Sequence, residues 1–214
     1  MLSDVLTDDD IIITGDGTAC VVTFQTLRVK QRQRLYTNSG CAAMGYDLPA
    51  AIGAAIAVPG KRIICLAGDG SLQMNIQELQ TVVGLNLPIK ILVLNNDGYH
   101  SIRQTQTAFF ADSLIGFDTA TGVHFAPLKG LAAGFGLPYH RADHVASLAE
   151  DLRAVLNAPG PQLCEVVLDK NQAFSPKVSS KRLPDGKMVS APLEDMAPFL
   201  SREEFRSNML VDPI

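Results

Sequence analysis

The sequence predicts an α/β fold, a three-layer α/β/α sandwich around a mainly parallel central sheet. Apolar strands alternate with helical patterns from residue 11 to residue 168, which favours parallel strands joined by right-handed crossovers. The segment 89–94 is apolar on both faces apart from Lys90, typical of a central strand covered by helices on both sides. Two loops rich in Gly, Asp and Asn follow neighbouring strands, at the edge where open α/β sheets bind ligands.

The first elements are short. The β-branched run 11–13 predicts a buried strand that stops at the tight loop 14–18, and residues 19–27 predict a helix. The basic run 28–34 is interpreted as a solvated surface, and residues 36–43 as a loop. A helix is predicted from Asp47, which can cap the free amides, to the Pro59-Gly60 break.

The centre of the chain is the stretch 62–99. It reads as a strand over residues 63–67, the loop Gly68-Asp69-Gly70-Ser71 and one amphipathic helix from Leu72 to Val83. The central strand 89–94 and the loop Asn95-Asn96-Asp97-Gly98-Tyr99 follow. The two loops are therefore predicted to lie side by side at one edge of the sheet.

The remaining pattern is weaker. Residues 101–117 predict a short helix with irregular structure, residues 125–135 and 145–156 helices, 137–140 an outer strand, and 163–168 the last strand. After Asp169 the chain is polar and rich in proline without a sustained period. We expect residues 1–170 to form one domain and residues 171–214 an extended arm over that domain or a partner.

Composition favours small-molecule chemistry. A chain of 214 residues with 47% hydrophobic residues can bury one sizeable core. The net charge of −4, with both signs interspersed, gives no footprint for nucleic acid or an anionic membrane. Four scattered cysteines, an acidic start without a secretory pattern and no long apolar run predict free thiols and a cytoplasmic location.

The two loops suit a diphosphate held through a divalent metal. Glycines let the backbone approach a ligand, a helix start presents free amides, and Ser71 adds a hydroxyl. A carboxylate from Asp69 would repel phosphate unless a cation lay between them, and Mg²⁺ prefers such oxygen ligands. Asn96 can supply an amide oxygen and Gly98 a carbonyl. Each loop alone is an ordinary turn sequence, and it is the pair that indicates the site.

The same residues resemble a known family. Gly68-Asp69-Gly70-Ser71 followed by Asn95-Asn96 is similar to the thiamin diphosphate signature of the acetolactate synthase and 2-keto acid decarboxylase superfamily, in its diphosphate-binding domain. The segment 38–55 is similar to the part that holds the aminopyrimidine and thiazolium rings in synthase-like members. The likeness extends over residues 11–168.

The resemblance implies roles for individual residues. Asp69 and Asn96 would bind Mg²⁺ through their side chains and Gly98 through its carbonyl. Met44 would lie beneath the cofactor and force its rings into a V, and the Ala42 carbonyl would accept a hydrogen bond from the 4′-amino group; these two residues are the catalytic candidates. The implied cofactor-binding residues are Thr18, Ala42, Met44, Gly68, Gly70, Ser71, Asn96, Gly98 and Tyr99.

The resemblance also implies chemistry and partners. In the V conformation the cofactor can remove its own proton and attack a 2-keto acid, leading to decarboxylation and carboligation. The family's activating glutamate belongs to a separate pyrimidine-binding domain, which nothing here resembles; Glu78, Glu150 and Glu165 are interpreted as surface or interface groups. We therefore expect a homo- or hetero-oligomer, either as a dissociable subunit or as part of a longer enzyme, and no activity from the chain alone.

Two alternatives stay open. The chain could be a subunit of a sulfopyruvate- or phosphonopyruvate-type decarboxylase, with His100 or Arg103 reaching the substrate's acidic group. Ile102 stands where simple pyruvate decarboxylases tend to have an acidic residue, which disfavours that class. The chain could also be a catalytically silent diphosphate-binding module, although it lacks the P-loop and dinucleotide-binding motifs.

Overall fold

A computed structural model describes residues 1–110 and 113–212. The chain divides into two compact units, Met1–Gln172 and Ala173–Ile214. The first unit contains a six-stranded sheet in the order β2-β1-β3-β4-β6-β5. Its strands are β1 Ile11–Thr14, β2 Arg34–Tyr36, β3 Ile63–Gly68, β4 Ile89–Asn95, β5 Tyr139–Ala142 and β6 Gln162–Val167.

All neighbouring strands of this sheet run parallel. Parallel strands need crossover connections, and most of these crossovers are helical. The helices are α1 Leu2–Val5, α2 Thr18–Thr26, α3 Asp47–Ala57, α4 Asp69–Gln73, α5 Leu79–Gly84, α6 His100–Phe109, α7 Leu128–Phe135 and α8 Leu148–Asn157.

Each face of the sheet has its own apolar core. Ile63 and Cys65 of β3 point into a cluster with residues of α3, α5 and α7. Ile64 and Leu66, which alternate with them, pack with residues of α1, α2 and α8 on the opposite face. The predicted three-layer fold is confirmed, and β3 and β4 are the central strands.

The prediction of one continuous helix over residues 72–83 is wrong. Strand β3 runs to Gly68 and α4 begins at once with Asp69, so the strand enters the helix without an intervening loop. The helix then breaks into α4, a 3₁₀ turn at Ile76–Glu78 and α5. The break lies at Asn75, whose side-chain Nδ2 donates to the Gly45 carbonyl at 2.7 Å. A contact with a remote turn interrupts the helix here, and an apolar stripe cannot reveal such a contact.

Two further predictions change at the start of the chain. Residues 34–36, the last of them predicted as loop, form the edge strand β2, which pairs with β1; as an edge strand it is mostly exposed and lacks a buried apolar run. Asp47 is the first residue of α3, and Tyr46 before it is the N-cap residue. The buried Asp47 side chain accepts one free amide of the first turn, that of Leu48, at 2.9 Å. Three arginines of the basic run are exposed as predicted, with Arg28 paired to Asp4 and Arg32 to Asp9, whereas Lys30 is half-buried.

The later elements lie close to their predicted positions. Helices α7 and α8 begin at Leu128 and Leu148, three residues later than predicted. The outer strand β5 is displaced to Tyr139–Ala142. The helix predicted within 101–117 is α6, and residues 111 and 112 of that stretch lie outside the described part of the chain.

The cysteines are all free thiols, as predicted. Across the described ranges, none of the helices combines the length and the apolar composition that a membrane crossing requires.

The second unit has its own small elements. Strands β7 (Ser180–Arg182) and β8 (Met188–Ser190) form an antiparallel hairpin, and α9 spans Arg202–Ser207. Ser201 caps α9 by accepting from the Glu204 amide at 3.2 Å. Arg202 forms an ion pair with Asp195 at 2.8 Å.

Candidate functional site

The carboxyl ends of β1, β3 and β4 meet at one edge of the sheet. Gly68 pairs with Leu94 across β3 and β4, and Thr14 pairs with Leu66 across β1 and β3. The segments that follow these strands surround a cavity of about 260 Å³. Every site residue predicted from the sequence lines this cavity: Thr18, Ala42, Met44, Gly68, Asp69, Gly70, Ser71, Asn96, Gly98 and Tyr99.

Asp69 is the buried acid of this cavity. Its carboxylate accepts hydrogen bonds from the Gly70 amide at 2.8 Å and from the Gly98 amide at 2.9 Å. Only 5% of the residue is exposed. Burial raises the pKa of the Asp69 carboxyl to about 6, against the lowering effect of the two amides. Asp69 therefore joins the two predicted loops and holds its charge at an energetic cost that a bound cation would offset.

Gly98 has a conformation and a packing that only glycine allows. Its φ is +125°, and a Cβ atom there would lie 1.9 Å from the carbonyl oxygen of Phe117. The next amide, Tyr99 N, donates to that same carbonyl at 2.8 Å. The segment 96–99 is thus fixed between Asp69 and the backbone of Phe117.

Asn96 connects this segment to the segment after β1. Its Nδ2 donates to Thr18 Oγ1 at 2.8 Å, and the asparagine is 5% exposed. The amide oxygen is then the atom of Asn96 that can coordinate a cation, and the Thr18 hydroxyl still has its hydrogen to donate.

Gly70 permits a close approach of an aromatic ring. A Cβ atom there would lie 2.3 Å from Tyr99 Cε1 and 3.1 Å from the Phe125 ring. The Tyr99 and Phe125 rings meet edge to face, with centroids 5.3 Å apart. The first turn of α4 is therefore packed directly against Tyr99.

The turn 41–46 forms the other side of the cavity. Ala42 has φ +53°, a left-handed conformation that is rare for alanine, and Met44 is 39% exposed. The turn is anchored at Gly45, whose amide donates to Ser71 Oγ at 2.9 Å and whose carbonyl accepts from Asn75. The residues before Gly45 are exposed.

Ser71 contacts a residue that the sequence interpretation treated only as a helix cap. Its hydroxyl donates to Asp47 Oδ2 at 2.5 Å, and Asp47 is fully buried. The sequence gives no signal for this contact, because an acid at a helix start usually caps it.

The Arg103 side chain binds the backbone of the segment 96–99. It donates to the carbonyls of Asn96 at 3.0 Å, Lys170 at 3.1 Å and Asp97, and it lies 3.5 Å from the Asp118 carboxylate. Its guanidinium is therefore occupied by protein groups, and Arg103 does not line the first cavity. His100 lines the cavity and is buried.

Glu165 is buried and lines a neighbouring cavity of about 480 Å³. Of the two roles interpreted from the sequence, surface or interface, the surface role is therefore wrong. Glu165 accepts from Asn95 Nδ2 at 2.6 Å, from Arg141 at 2.9 Å and from the Tyr139 hydroxyl. Asn95 Oδ1 in turn accepts the Asp97 amide at 3.0 Å. Glu165 thus holds the Asn95 side chain, which in turn binds the Asp97 amide at the start of segment 95–99.

Sequence reasoning also missed several residues that line the first cavity, Asp16 and Ser101 among them. Asp16 belongs to the Gly-Asp-Gly sequence after β1, so the repeat of that triplet after two strands was the available signal. Ser101 belongs to no recognisable motif. It lies at the cavity because α6 begins there.

Comparisons with known proteins agree with this arrangement. Residues 13–166 match the family model described as thiamine pyrophosphate enzyme, C-terminal TPP binding domain. The chain is 36% identical to acetolactate synthase isozyme 1 large subunit of Escherichia coli (strain K12), over 80% of this chain and 30% of that protein. It is 38% identical to acetolactate synthase 2, chloroplastic, of Brassica napus, over 84% of this chain and 29% of that protein. The chain spans about 30% of the length of these relatives.

Proposed function

The chain belongs to the thiamine pyrophosphate enzyme family, as the C-terminal TPP-binding domain of an acetolactate synthase-like enzyme, and from this membership we propose its chemistry. The domain binds thiamin diphosphate through Mg²⁺. Within a complete enzyme it serves the decarboxylation and carboligation of 2-keto acids.

One observation supports this proposal above the others. Asp69 accepts the Gly98 amide at 2.9 Å, and Asn96 donates to Thr18 at 2.8 Å, so segments from three strands converge on one cavity. The convergence offers a carboxylate, an amide oxygen and backbone carbonyls, which are the hard ligands that Mg²⁺ prefers.

The donor set also fits a metal that shares its ligands with a phosphate. Among the described residues, no three His, Cys, Asp or Glu side chains converge on a metal position. A cation at Asp69 would therefore complete its coordination with Asn96, the Gly98 carbonyl and phosphate oxygens, as Mg²⁺ commonly does. Gly68, Gly70, Ser71, Thr18 and Tyr99 would surround the diphosphate.

The turn 41–46 would hold the rings. Thiamin diphosphate, when bound, supplies the electron sink on which a 2-keto acid loses carbon dioxide. Met44 would support the two rings from below, and the left-handed backbone at Ala42 would aim its carbonyl at the aminopyrimidine. Left-handed alanine costs about 1 kcal/mol, so the proposed ring-binding turn is strained at Ala42.

The activating carboxylate would come from a pyrimidine-binding domain, elsewhere in a longer chain or in a partner subunit. Glu165 accepts hydrogen bonds from three side chains, and Glu78 accepts one from Thr81 at 2.9 Å. Neither lines the first cavity. The acetolactate synthases matched here are much longer than this chain, which leaves room for such a domain.

Reconstitution tests the activity. We would combine the chain with a pyrimidine-binding domain of an acetolactate synthase and measure carbon dioxide and acetolactate formed from pyruvate with Mg²⁺ and thiamin diphosphate. We expect turnover from the pair and none from either part. Release of carbon dioxide from sulfopyruvate or phosphonopyruvate alone would favour the decarboxylase alternative, and cofactor binding without turnover of any 2-keto acid would favour the silent module.

A further inference from the structure

A second buried acid, Asp47, lies behind the candidate site. It is fully buried at the start of α3. In the part of the chain that the structure describes, no basic side chain forms an ion pair with it. A buried carboxylate without a cation is costly, and such groups tend to bind a proton instead.

Asp47 contacts the site through Ser71. Its Oδ2 lies 2.5 Å from Ser71 Oγ, and its Oδ1 accepts the Leu48 amide at 2.9 Å. Ser71 Oγ also accepts the Gly45 amide at 2.9 Å. Ser71 itself lines the cavity, so the hydroxyl stands between the buried acid and the proposed diphosphate.

The hydrogen atoms on these groups decide what Ser71 can do. A serine hydroxyl has one hydrogen. When Asp47 is ionised it takes that hydrogen, and Ser71 has none left to donate to a phosphate oxygen. When Asp47 carries a proton on Oδ2, it donates to Ser71 Oγ, and the hydroxyl hydrogen can turn toward the cavity.

We propose that Asp47 takes up one proton from solvent when the diphosphate binds, and that this proton frees the Ser71 hydroxyl to donate to a phosphate oxygen. The inference rests on the proposed function. In the bound state Ser71 Oγ accepts from Asp47 and Gly45 and donates once, so all its hydrogen-bonding capacity is used. The neutral acid also removes a negative charge from behind the anion.

The surroundings of Asp47 favour its neutral form. Burial is the main cause that raises the pKa of its carboxyl, against the lowering effect of the hydrogen bonds from Ser71 and the Leu48 amide, and Asp16 in the segment after β1 raises it further. Cys65 of β3 also faces it and has its own pKa raised, by burial and by the charge of Asp47. Ser71 of α4, the helix that begins at Asp69, is a further polar neighbour of Asp47. A diphosphate arriving at Ser71 adds more negative charge and shifts the balance further toward the proton.

Titration calorimetry on the 214-residue chain tests this linkage. Inorganic diphosphate with Mg²⁺ serves as the probe, from about pH 6 to about pH 9, in two buffers of different ionisation enthalpy to count protons. Asp47→Asn is the matched variant, because its amide oxygen can accept the Leu48 amide while its Nδ2 donates to Ser71 as the neutral acid would. Ser71→Ala removes the hydroxyl. Urea unfolding checks that each variant is folded.

In the wild type, relative to Asp47→Asn, we expect affinity to fall by up to about tenfold per pH unit above the pKa of Asp47. The wild type should take up as much as one proton more, and Asp47→Asn should bind at least as tightly at alkaline pH. Ser71→Ala should bind more weakly and show no additional proton. Asp69 and the diphosphate itself also titrate, but they do so in all three chains, so their contributions cancel when the pH profiles and proton counts are compared.

The inference is overturned if wild type and Asp47→Asn share one pH profile and one proton count. It is also overturned if folded Asp47→Asn binds more than about tenfold more weakly, since the negative charge itself would then be needed. Absence of Mg²⁺-dependent diphosphate binding in all three chains would instead contradict the proposed function.

Discussion

The two sides of the cavity are built differently. Asp69, Asn96 and Gly98 are buried or tightly packed and are cross-linked by side-chain and backbone hydrogen bonds. On the other side, Ala42 and Met44 lie in an exposed turn that contacts Ser71 through the Gly45 amide. The side proposed to hold the diphosphate is therefore organised by contacts within this domain. The side proposed to hold the rings has an exposed surface that a further domain can cover.

The largest expected effect comes from Gly98→Ala on the organised side. The new Cβ would collide with the Phe117 carbonyl, and we expect a loss of about 3 kcal/mol or more in the free energy of unfolding. Urea unfolding measures it. Gly122→Ala is the matched control, because Gly122 has φ +99° but open space around a Cβ, and it should cost only about 1 kcal/mol. Equal losses in the two variants would contradict the close packing described at Gly98.

Asp69 should make the metal-free chain less stable as pH rises. Burial raises its pKa to about 6 in the folded chain, from 3.8 for an aspartate in water, so the folded state holds the proton more tightly than the unfolded state. The free energy of unfolding should thus fall between about pH 4 and pH 6, by about 3 kcal/mol relative to Asp69→Asn. Mg²⁺ at neutral pH should restore part of the loss. Parallel stability profiles for the two chains would contradict this prediction.

Arg103→Lys should have an intermediate effect. The guanidinium reaches the carbonyls of Asn96, Asp97 and Lys170 at once, and an ammonium group cannot reproduce this planar set of donors. We expect about 1 to 2 kcal/mol less stability and weaker Mg²⁺-dependent diphosphate binding, measured by urea unfolding and calorimetry. Unchanged binding would show that the segment 96–98 does not need this brace.

Met44→Ala on the exposed side should leave stability nearly unchanged, within about 0.5 kcal/mol. Affinity for thiamin diphosphate should fall, while affinity for inorganic diphosphate with Mg²⁺ stays the same, because only the rings would contact Met44. Met188→Ala, at a similarly exposed methionine in the second unit, is the control and should change neither. A parallel loss of both affinities would contradict the division of the cavity into two sides.

The sequence predicted the sheet well because its strands are buried. Residues 63–67 and, apart from Lys90, residues 89–94 are continuous apolar runs. A strand that is buried on both faces requires apolar side chains at nearly every position, so the run is easy to recognise. The edge strand β2 was missed since it is mostly exposed. The helix 72–83 was predicted as continuous although it is broken, because the contact of Asn75 with Gly45 comes from a distant part of the chain.

The sequence predicted those parts of the candidate site that belong to recognisable motifs. The glycines and polar residues after β3 and β4 are found together around one cavity, since parallel pairing fixes where strand ends lie. Asp47, Glu165 and Arg103 behave differently. Each acts through tertiary contacts with Ser71, Asn95 or backbone carbonyls, and local sequence carries no trace of these contacts.

The most direct test of the central claim is calorimetric titration of thiamin diphosphate with and without Mg²⁺. It compares the wild type with Asp69→Asn, and Asp97→Asn is the control at an exposed carboxylate in the neighbouring segment. We expect Mg²⁺ to strengthen binding by about 100-fold or more, roughly 3 kcal/mol, in wild type and Asp97→Asn but not in Asp69→Asn. Equal Mg²⁺-dependent affinity in wild type and Asp69→Asn would contradict the assignment of Asp69 as the metal-binding acid.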